Sequence, residues 1–414
     1  MNNKLKIFVS AYACEPYLGS EIGVGWHWVL EMSKYFELWV LTRKSNQVGI
    51  EEWLEENPSY KNIRFIYFDL PYYLRFWKKG LRGVRTYYAI WQWCTNKIVK
   101  KSMKVNEITI FHHLTYGNAL LPVSNYGQKQ FFIWGPTGGT ETIPKDYSVH
   151  YNLKGRIIES LRRLVVKSLA FNFRFKKRCK NANLMLCKTE EHKENIPEVY
   201  KDKAVLFTDV AVDHFRVENI GTKEFENSIK YIVVGRLDPW RGFDILIEAF
   251  AKAVRKNKNL QLQIVGKGMD QKRLEKLIES LGMLTYIKML GKVSLDEYKR
   301  LMQESDIVVN PCLKEGAVTT AFDSMSLGKP LICLDTSGYT RYFSNEYAIV
   351  IPKLKRAETI LSLTEAILNL TNPLTRNHLG ENAQRMGKKF TWENRGKDIY
   401  KTITTNYNAW YSSD

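Results

Sequence analysis

Short apolar runs alternate with longer helical patterns along most of this 414-residue chain. The runs are too short for helices and each ends at a loop, which is typical of buried strands in a parallel sheet. The alternation therefore predicts an α/β fold with doubly wound sheets, which bind ligands beyond the carboxyl ends of their strands. The predicted strands are residues 6–12, 37–42, 63–68, 108–113, 131–134, 182–187, 204–208, 230–234, 260–268, 286–290, 306–310 and 331–334.

Chain length and one change of character predict two domains. A chain of 414 residues that is 44% hydrophobic is long enough for two cores and too long for one. A polar, acid-bearing stretch at 211–229 interrupts the series of strands. We therefore predict a first domain at residues 1–210, a second at 211–388 and a C-terminal segment at 389–414.

The stretch 310–330, NPCLKEGAVTTAFDSMSLGKP, predicts a strand end, a loop with one acid and then a helix. Glu315 is the loop acid, and apolar residues at helical spacing predict a helix over about 318–328. The amide groups of the first helical turn have no partner within the helix, which suits an anion such as a diphosphate. These amides belong to Gly316, Ala317, Val318 and Thr319.

A second acid, Asp323, follows Thr319 by four residues and is predicted on the side of the helix away from the core. One acid above the phosphate site and one below it suit a sugar on one side and a ribose on the other.

A glycine-bounded loop at 235–242 carries two arginines, Arg236 and Arg241. Two guanidinium groups five residues apart can clamp a diphosphate from two directions, although a solvated basic loop has the same composition. The sequence has no G-x-x-x-x-G-K-[ST] loop and no G-x-G-x-x-G after the first strand, so it gives no support to a P-loop or a dinucleotide fold. It also has no D-x-D triplet, which disfavours a metal-bridged nucleotide-sugar site.

The first half offers two further candidate positions. Gly19 and Ser20 stand where a loop meets a predicted helix, either as an ordinary helix cap or where the backbone approaches a ligand. His112 and His113 end a predicted strand, where a histidine can hydrogen-bond a sugar hydroxyl or a reacting oxygen. Successive strand residues point to opposite faces, so we expect at most one of the two to face a ligand.

Basic residues are concentrated in two stretches, and the formal net charge is +19. Residues 72–104 contain nine Lys or Arg, no acid and many interleaved aromatic rings. This composition suits the surface of an anionic membrane best. The first alternative is that the aromatic residues are core and the lysines a solvated face, and the second is that the stretch stacks on the bases of a nucleic acid. Residues 154–180 have Glu159 as their only acid and apolar residues at helical spacing.

The six cysteines form no C-x-x-C pair, so neither a zinc site nor a disulfide framework is indicated. The N-terminal apolar run is too short for a signal peptide or a membrane span. We expect a reduced, cytoplasmic protein that lies peripherally on the inner face of the plasma membrane.

Taken together, the motifs resemble the retaining family-4 glycosyltransferases of GT-B fold. The resemblance rests on Gly235-Arg-Leu with Arg241-Gly, the Ile-Val-Gly-Lys-Gly turn, and Pro311…Glu315-Gly…Asp323…Gly-Lys-Pro330. Ser-Ala-Tyr-Ala-Cys-Glu-Pro, His-His-Leu-Thr and Trp-Gly-Pro-Thr-Gly-Gly in the first half resemble a bacterial branch that builds surface polysaccharides. The family fold implies two Rossmann-like domains facing across a cleft and a C-terminal helix, opening at Phe390-Thr-Trp392, that crosses back to the first domain.

The resemblance also implies roles for individual residues. Arg236 matches the arginine that binds the donor diphosphate, and Arg241 stands where the family usually has lysine. Glu315 matches the glutamate that holds the donor sugar near its reacting centre. Asp323 stands where the family has a glutamate that binds ribose hydroxyls, and His112 or His113 matches the catalytic histidine.

The expected function is retaining transfer of a sugar, of hexosyltransferase type, from a nucleotide diphosphate-sugar to a lipid-linked or polysaccharide acceptor in surface polysaccharide biosynthesis. The expected partners are the donor, that acceptor and an anionic membrane surface, with no nucleic acid, no metal and no cofactor besides the donor substrate. Three alternatives are a GT-B nucleotide-sugar epimerase, a basic nucleic-acid-binding protein, and a membrane-bound scaffold with a decayed donor site.

Overall fold

The computed structural model describes residues 4–78, 83–125, 129–151, 153–212, 228–315, 318–335 and 338–412, and the structural statements below concern these residues. The chain separates into two compact units. Unit 1 comprises residues 1–140, 166–209 and 392–414, and unit 2 comprises residues 141–165 and 210–391.

The described residues form two sheets in which every strand pair is parallel. The unit 1 sheet has seven strands in the order β3-β2-β1-β4-β5-β6-β7, and the unit 2 sheet has six in the order β10-β9-β8-β11-β12-β13. The strands are β1 Lys6–Ser10, β2 Glu37–Arg43, β3 Arg64–Phe68, β4 Ile110–His113, β5 Phe131–Thr137, β6 Leu184–Cys187, β7 Ala204–Leu206, β8 Ile229–Val234, β9 Leu260–Val265, β10 Ile287–Gly291, β11 Ile307–Asn310, β12 Leu331–Leu334 and β13 Ala348–Ile351.

Parallel strands need crossover connections, and most of these connections contain helices. They are α1 Ser20–Ser33, α2 Gln47–Glu56, α3 Val84–Val105, α4 Lys145–Ser148, α5 Leu153–Lys167, α6 Phe173–Asn181, α7 Glu190–Glu194, α8 Phe243–Lys256, α9 Gln271–Ser280, α10 Leu295–Glu304, α11 Thr319–Ser326, α12 Arg356–Asn369, α13 Pro373–Gly387 and α14 Trp392–Tyr411. No helix in the described ranges is long and apolar enough to cross a bilayer.

Unit 1 has a hydrophobic core on each face of its sheet. Alternate residues of β1 point to opposite faces, so Val9 packs with Trp28 of α1, whereas Phe8 packs with Trp91 of α3. The C-terminal helix α14 buries Ile403 in the same core as α1. The last helix therefore belongs to unit 1, as the resemblance implied.

Unit 2 has its largest core between the sheet and α8 and α12, which contact each other. Helix α11 packs against α13. The α11 residues Ala321, Phe322 and Met325 are fully buried. The helical spacing in the stretch 310–330 thus identified the side of α11 that faces the protein.

Every predicted strand overlaps an observed one, which confirms the α/β, doubly wound parallel architecture. Strand β13 was not predicted. It is a four-residue run that lies at the edge of the sheet and is followed directly by Pro352, so its apolar signal is short.

Residues 141–165 belong to unit 2, although the predicted boundary at 210 and 211 left them with the first domain. Ile143, Tyr147 and Tyr151 are buried in the unit 2 core. The Tyr147 hydroxyl donates to the carbonyl oxygen of Leu354 at 2.7 Å. The composition of residues 141–165 does not indicate that they belong to unit 2, because only a few separated side chains attach them to it.

The aromatic residues of the stretch 72–104 divide between core and surface. On α3, Tyr87, Tyr88 and Trp91 are fully buried, so the interpretation with core aromatics is right for that side of the helix and the membrane interpretation is wrong there. Tyr72, Tyr73, Phe76 and Trp93 are exposed. Lys79 and Arg82 of this stretch lie outside the described residues.

Candidate functional site

The site in unit 2 is built on two neighbouring strands, β8 and β11. They pair in parallel, so the loop segments that follow them, 235–242 and 311–315, lie at the same edge of the sheet. The first loop carries Arg236 and Arg241, and the second carries Glu315. The topology therefore brings together the two motifs that the sequence placed about 70 residues apart.

Arg241 and Glu315 form an ion pair, with 2.5 Å between Arg241 Nη1 and Glu315 Oε2. Gly242 makes the close approach possible, because its φ is +69° and a Cβ there would collide with the carbonyl oxygen of Pro311. The side chains of Arg241 and Glu315 keep 19% and 25% of their surface exposed. The pair is thus partly open to a ligand.

The pKa of Glu315 is raised above its ordinary value. Burial raises its pKa, and the neighbouring Arg241 guanidinium opposes that rise. Cys312 Sγ lies 3.5 Å from Glu315 Oε2, and the backbone of Glu315 forms a parallel bridge with Gly338. These contacts fix the carboxylate beside Arg241.

Arg236 is the more exposed cation of the site, with 60% of its side chain accessible. Its Nε lies 2.7 Å from Asp238 Oδ2, and its guanidinium lies over the ring of Trp240, 5.7 Å from the centroid. Arg236 is thus oriented by an acid and an aromatic ring while most of its surface remains available to an anion.

Helix α11 begins at Thr319, with Val318 as its N-cap in extended backbone and without a side-chain cap hydrogen bond. An uncapped first turn leaves its amide donors to solvent or to an anion, and the helix dipole adds to that attraction. The predicted anion site is consistent with this geometry at Val318 and Thr319. Gly316 and Ala317 lie outside the described residues.

Asp323 corrects one prediction. Asp323 was expected on the side of α11 that faces away from the core, but it is only 2% exposed. Its Oδ2 accepts a hydrogen bond of 2.5 Å from the hydroxyl of Tyr298 on α10. The prediction was wrong because α10 and α13 both contact α11, so this short helix has little surface facing solvent.

Sequence reasoning missed a buried ion pair next to the site. Lys314 Nζ lies 2.6 Å from Glu159 Oε1, and the two side chains are 6% and 3% exposed. Lys314 also lies over the Trp240 ring, 5.0 Å from the centroid. Burial lowers the pKa of Lys314 to about 8, with nearby Arg162 acting the same way and Glu159 in opposition. The one available signal was that Glu159 is the only acid in a basic stretch.

The histidine pair lies inside unit 1. As predicted from strand alternation, the two rings point to opposite faces: His112 packs against Trp28 and His113 against Tyr88. His112 Nε2 lies 2.7 Å from the carbonyl oxygen of Gly135, and His113 Nε2 lies 3.0 Å from the Tyr88 hydroxyl.

Both histidines are essentially inaccessible, with exposures of 0% and 1%. Burial lowers the pKa of His112 to about 4 and that of His113 to about 3, so both are neutral at pH 7. At most one of them was expected to face a ligand, and in this structure neither is exposed. The catalytic role implied by the resemblance stays a prediction.

Gly19 is the exposed N-cap of α1, with φ −83° and ψ −175°, and the helix starts at Ser20. This is ordinary extended backbone without a side-chain cap, so the cap interpretation describes its geometry. Both residues are in unit 1, and their role toward a donor also stays a prediction. Within the described ranges, no group of three or more His, Cys, Asp or Glu side chains could hold a metal ion.

Comparison with known proteins matches the second half of the chain to a family. Residues 216–386 match the family described as Glycosyl transferases group 1. An uncharacterised glycosyltransferase of Methanocaldococcus jannaschii is 28% identical over 232 residues, which cover 56% of this chain and 62% of that protein. The chain thus matches less than two thirds of the length of this relative.

Solved structures match nearly the whole chain in fold. Sucrose-phosphate synthase from Thermosynechococcus elongatus superposes with a TM-score of 0.66 at 14% identity, covering 98% of this chain and 100% of that one. Anabaena HepE in complex with UDP and glucose superposes with a TM-score of 0.58 at 14% identity, covering 97% and 100%. The chain therefore has two Rossmann-like domains of the GT-B fold, and its residues 216–386 match the group 1 glycosyl transferases.

Proposed function

We propose that this protein is a glycosyltransferase that takes a sugar from a nucleoside diphosphate donor bound in unit 2. The observation that carries the proposal is the Arg241–Glu315 pair, which stands at adjacent strand ends within the segment that matches the family. Arg236 and the uncapped start of α11 add two further groups that attract an anion. The bound UDP of the matched Anabaena structure supports UDP as the first nucleotide to test.

The geometry suggests how the site works. A donor diphosphate engages Arg241 and Arg236, which neutralise the charge that develops on the leaving group. Glu315 then exchanges part of its bond to Arg241 for hydroxyl groups of the donor sugar, because an ionised carboxylate accepts several hydrogen bonds at once. Cation and acid are already held 2.5 Å apart, so the diphosphate and sugar ends of the donor are positioned by one preassembled pair.

We propose that transfer retains the anomeric configuration by attack from the face that the diphosphate leaves. Glu315, the partly exposed acid of the site, is paired with Arg241 and is not placed as an obvious nucleophile. The proposed acceptor is a lipid-linked or polysaccharide chain in surface polysaccharide synthesis, met at an anionic membrane. The net charge of +19 supports the membrane part of this proposal, because a basic protein is attracted to an anionic surface.

A panel of UDP-, GDP- and ADP-sugars tests the proposal. We expect binding and turnover of at least one donor, with turnover lost in Arg236→Ala and Glu315→Ala at an unchanged Tm. Arg300→Ala is a matched control, since Arg300 is an exposed, ion-paired arginine of α10 in the same unit. NMR of the product reports its anomeric configuration and tests retention.

The same assay separates the alternatives. Conversion of the donor sugar without any acceptor would indicate an epimerase. Salt-dependent binding of RNA or DNA with no donor binding would overturn the enzyme proposal.

A further inference from the structure

Helix α5 is packed with its polar side inward and its apolar side outward. Glu159 is 2% exposed, and Gly155 beside it on the same side is buried. Leu153, Ile157, Leu161 and Leu164 are 72%, 50%, 55% and 63% exposed. Their spacing of four, four and three residues puts them on one stripe of the helix. A surface helix ordinarily buries such a stripe, so this orientation is the reverse of the usual one.

Specific contacts hold the polar side in place. Glu159 makes the buried ion pair with Lys314. Arg162 Nε donates to the carbonyl oxygen of Glu141 at 3.0 Å, and Arg163 donates to the hydroxyl of Ser148 at 3.2 Å. All of these groups lie in unit 2. The helix cannot rotate to bury its leucines without breaking them, so the apolar stripe is a fixed feature of the surface.

The charge beside the stripe has one sign. Lys154 and Arg156 are exposed next to it, and the only acid of α5 is Glu159, which is buried and neutralised. An apolar stripe with cations beside it and no exposed acid complements an anionic lipid surface, where the apolar groups enter the acyl boundary and the cations contact phosphates. A second copy of the same face would bring these cations together, which disfavours self-association through it.

We propose that the stripe Leu153–Ile157–Leu161–Leu164 of α5 is a docking surface for an anionic lipid bilayer. This docking surface rests on the proposed function, because it is where the protein would meet a lipid-linked acceptor. Docking and donor binding are measured separately, so either can fail alone.

Vesicle flotation tests the surface. The full-length protein is mixed with vesicles of phosphatidylcholine alone or with 30% phosphatidylglycerol, in 0.1 M and 0.5 M NaCl. We expect binding to the anionic vesicles only, weakened by salt, and reduced about tenfold or more in Leu161→Ser/Leu164→Ser. Leu361→Ser/Leu374→Ser is the matched control, because these leucines are 55% and 77% exposed elsewhere in unit 2. Both double variants should keep the wild-type Tm and nucleoside diphosphate affinity.

A probe placed on the stripe gives a second readout. Leu161→Cys carrying an environment-sensitive fluorophore should brighten on anionic vesicles, and Leu361→Cys with the same label should not. Equal vesicle binding by wild type and Leu161→Ser/Leu164→Ser would overturn the proposal, and so would loss of binding only in Tyr73→Ser/Phe76→Ser of unit 1. A dimer in light scattering that Leu161→Ser/Leu164→Ser converts to a monomer, without vesicle binding, would assign the face to a second copy instead. Loss of donor binding alone would count against the proposed function and leave this surface intact.

Discussion

The Arg241 guanidinium and the Glu315 carboxylate are each other's partner when no donor is bound, and this defines what Glu315→Gln should do. The amide keeps the size of the side chain but leaves Arg241 without a charged partner, so the arginine is more available to a diphosphate. We expect unchanged or tighter binding of the nucleoside diphosphate selected by the donor panel. We expect kcat to fall about 10- to 100-fold, because a sugar hydroxyl loses a hydrogen bond to a charged group.

Glu297→Gln is the control for this experiment, since Glu297 is paired with Arg300 at an exposed position. Isothermal calorimetry gives the affinity and a coupled assay gives kcat. Weaker nucleotide binding with an unchanged kcat would show that Glu315 acts mainly by holding Arg241.

Asp323 is held by Tyr298, and this contact predicts the effect of Tyr298→Phe. The carboxylate is 2% exposed and receives a 2.5 Å hydrogen bond from the hydroxyl, so removing the hydroxyl leaves a buried acid with one donor fewer. We expect the Tm to fall by about 2–6 °C. Tyr411→Phe, at a tyrosine that is 70% exposed, should leave the Tm unchanged. A Tyr298→Phe protein as stable as the wild type would mean that this carboxylate is satisfied without the hydroxyl.

The turn between β8 and α8 depends on one glycine, and the chain offers a matched comparison for it. Gly242 and Gly282 both have φ +69°, but a Cβ on Gly242 meets the carbonyl of Pro311, whereas a Cβ on Gly282 meets nothing within 4 Å. Gly282→Ala should therefore cost only the left-handed backbone strain of about 1–2 kcal/mol. Gly242→Ala should lower the Tm further and weaken nucleoside diphosphate binding, because Arg241 moves with its neighbour. Equal effects of the two variants on Tm and binding would contradict this account.

Strand β4 carries two buried histidines and therefore makes unit 1 sensitive to acid. Their pKa values of about 4 and about 3 lie below the ordinary histidine value near 6.5. Between pH 6.5 and these lowered pKa values, the folded state therefore binds fewer protons than the unfolded state. Stability contributed by the neutral rings is complete above pH 6.5 and is lost as the pH falls toward 4 and below. The charge facing His113 is that of Arg178, which acts in the same direction as burial.

We expect the Tm to fall steadily between pH 6.5 and pH 4, measured by scanning calorimetry. His113→Gln should show a shallower fall over this interval, while His378→Gln, at an exposed histidine of α13, should follow the wild type. Identical slopes for all three proteins would mean that other groups control the acid response.

At the scale of the whole molecule, the sequence was a good guide to the sheets because strand and helix patterns are local. The order of strands in parallel sheets then places the β8 and β11 loops side by side, so Arg241 meets Glu315 and Arg236 lies on the same loop as Arg241, while their role toward a donor stays a prediction. The side-chain partners of buried charged residues were harder to predict. Tyr298 contacts Asp323 across 25 positions of the chain, and Glu159 contacts Lys314 across 155 positions, without any periodic signal in the sequence.

The same limit applies to residues 141–165 and to β4. Three side chains of residues 141–165 are buried in the core of unit 2, and no change of composition in the sequence indicates this. For His112 and His113, position in the strand predicted opposite faces, but exposure depends on whether helices such as α1 and α3 cover those faces. Burial of a strand end is a property of the assembled unit.

The Glu159–Lys314 pair joins the two separate segments of unit 2, so its removal tests how that unit is held together. Each single change, Glu159→Gln or Lys314→Met, leaves a buried group without its partner and should cost about 3–5 kcal/mol. The double variant removes both charges and should recover most of that loss. A double-mutant cycle on the denaturation free energy of unit 2 measures the coupling.

The pH dependence of Glu159→Gln sharpens this prediction. Burial already lowers the pKa of Lys314 to about 8, and loss of Glu159 lowers it further. The folded state of Glu159→Gln therefore binds fewer protons than its unfolded state at neutral pH, so its stability should rise between pH 6 and pH 9 more steeply than that of the wild type. Lys314→Met should show no such extra rise, because it has no amine at that position to titrate. Additive single effects with parallel pH profiles would mean that α5 is held to unit 2 by its other contacts, among them those of Arg162 and Arg163.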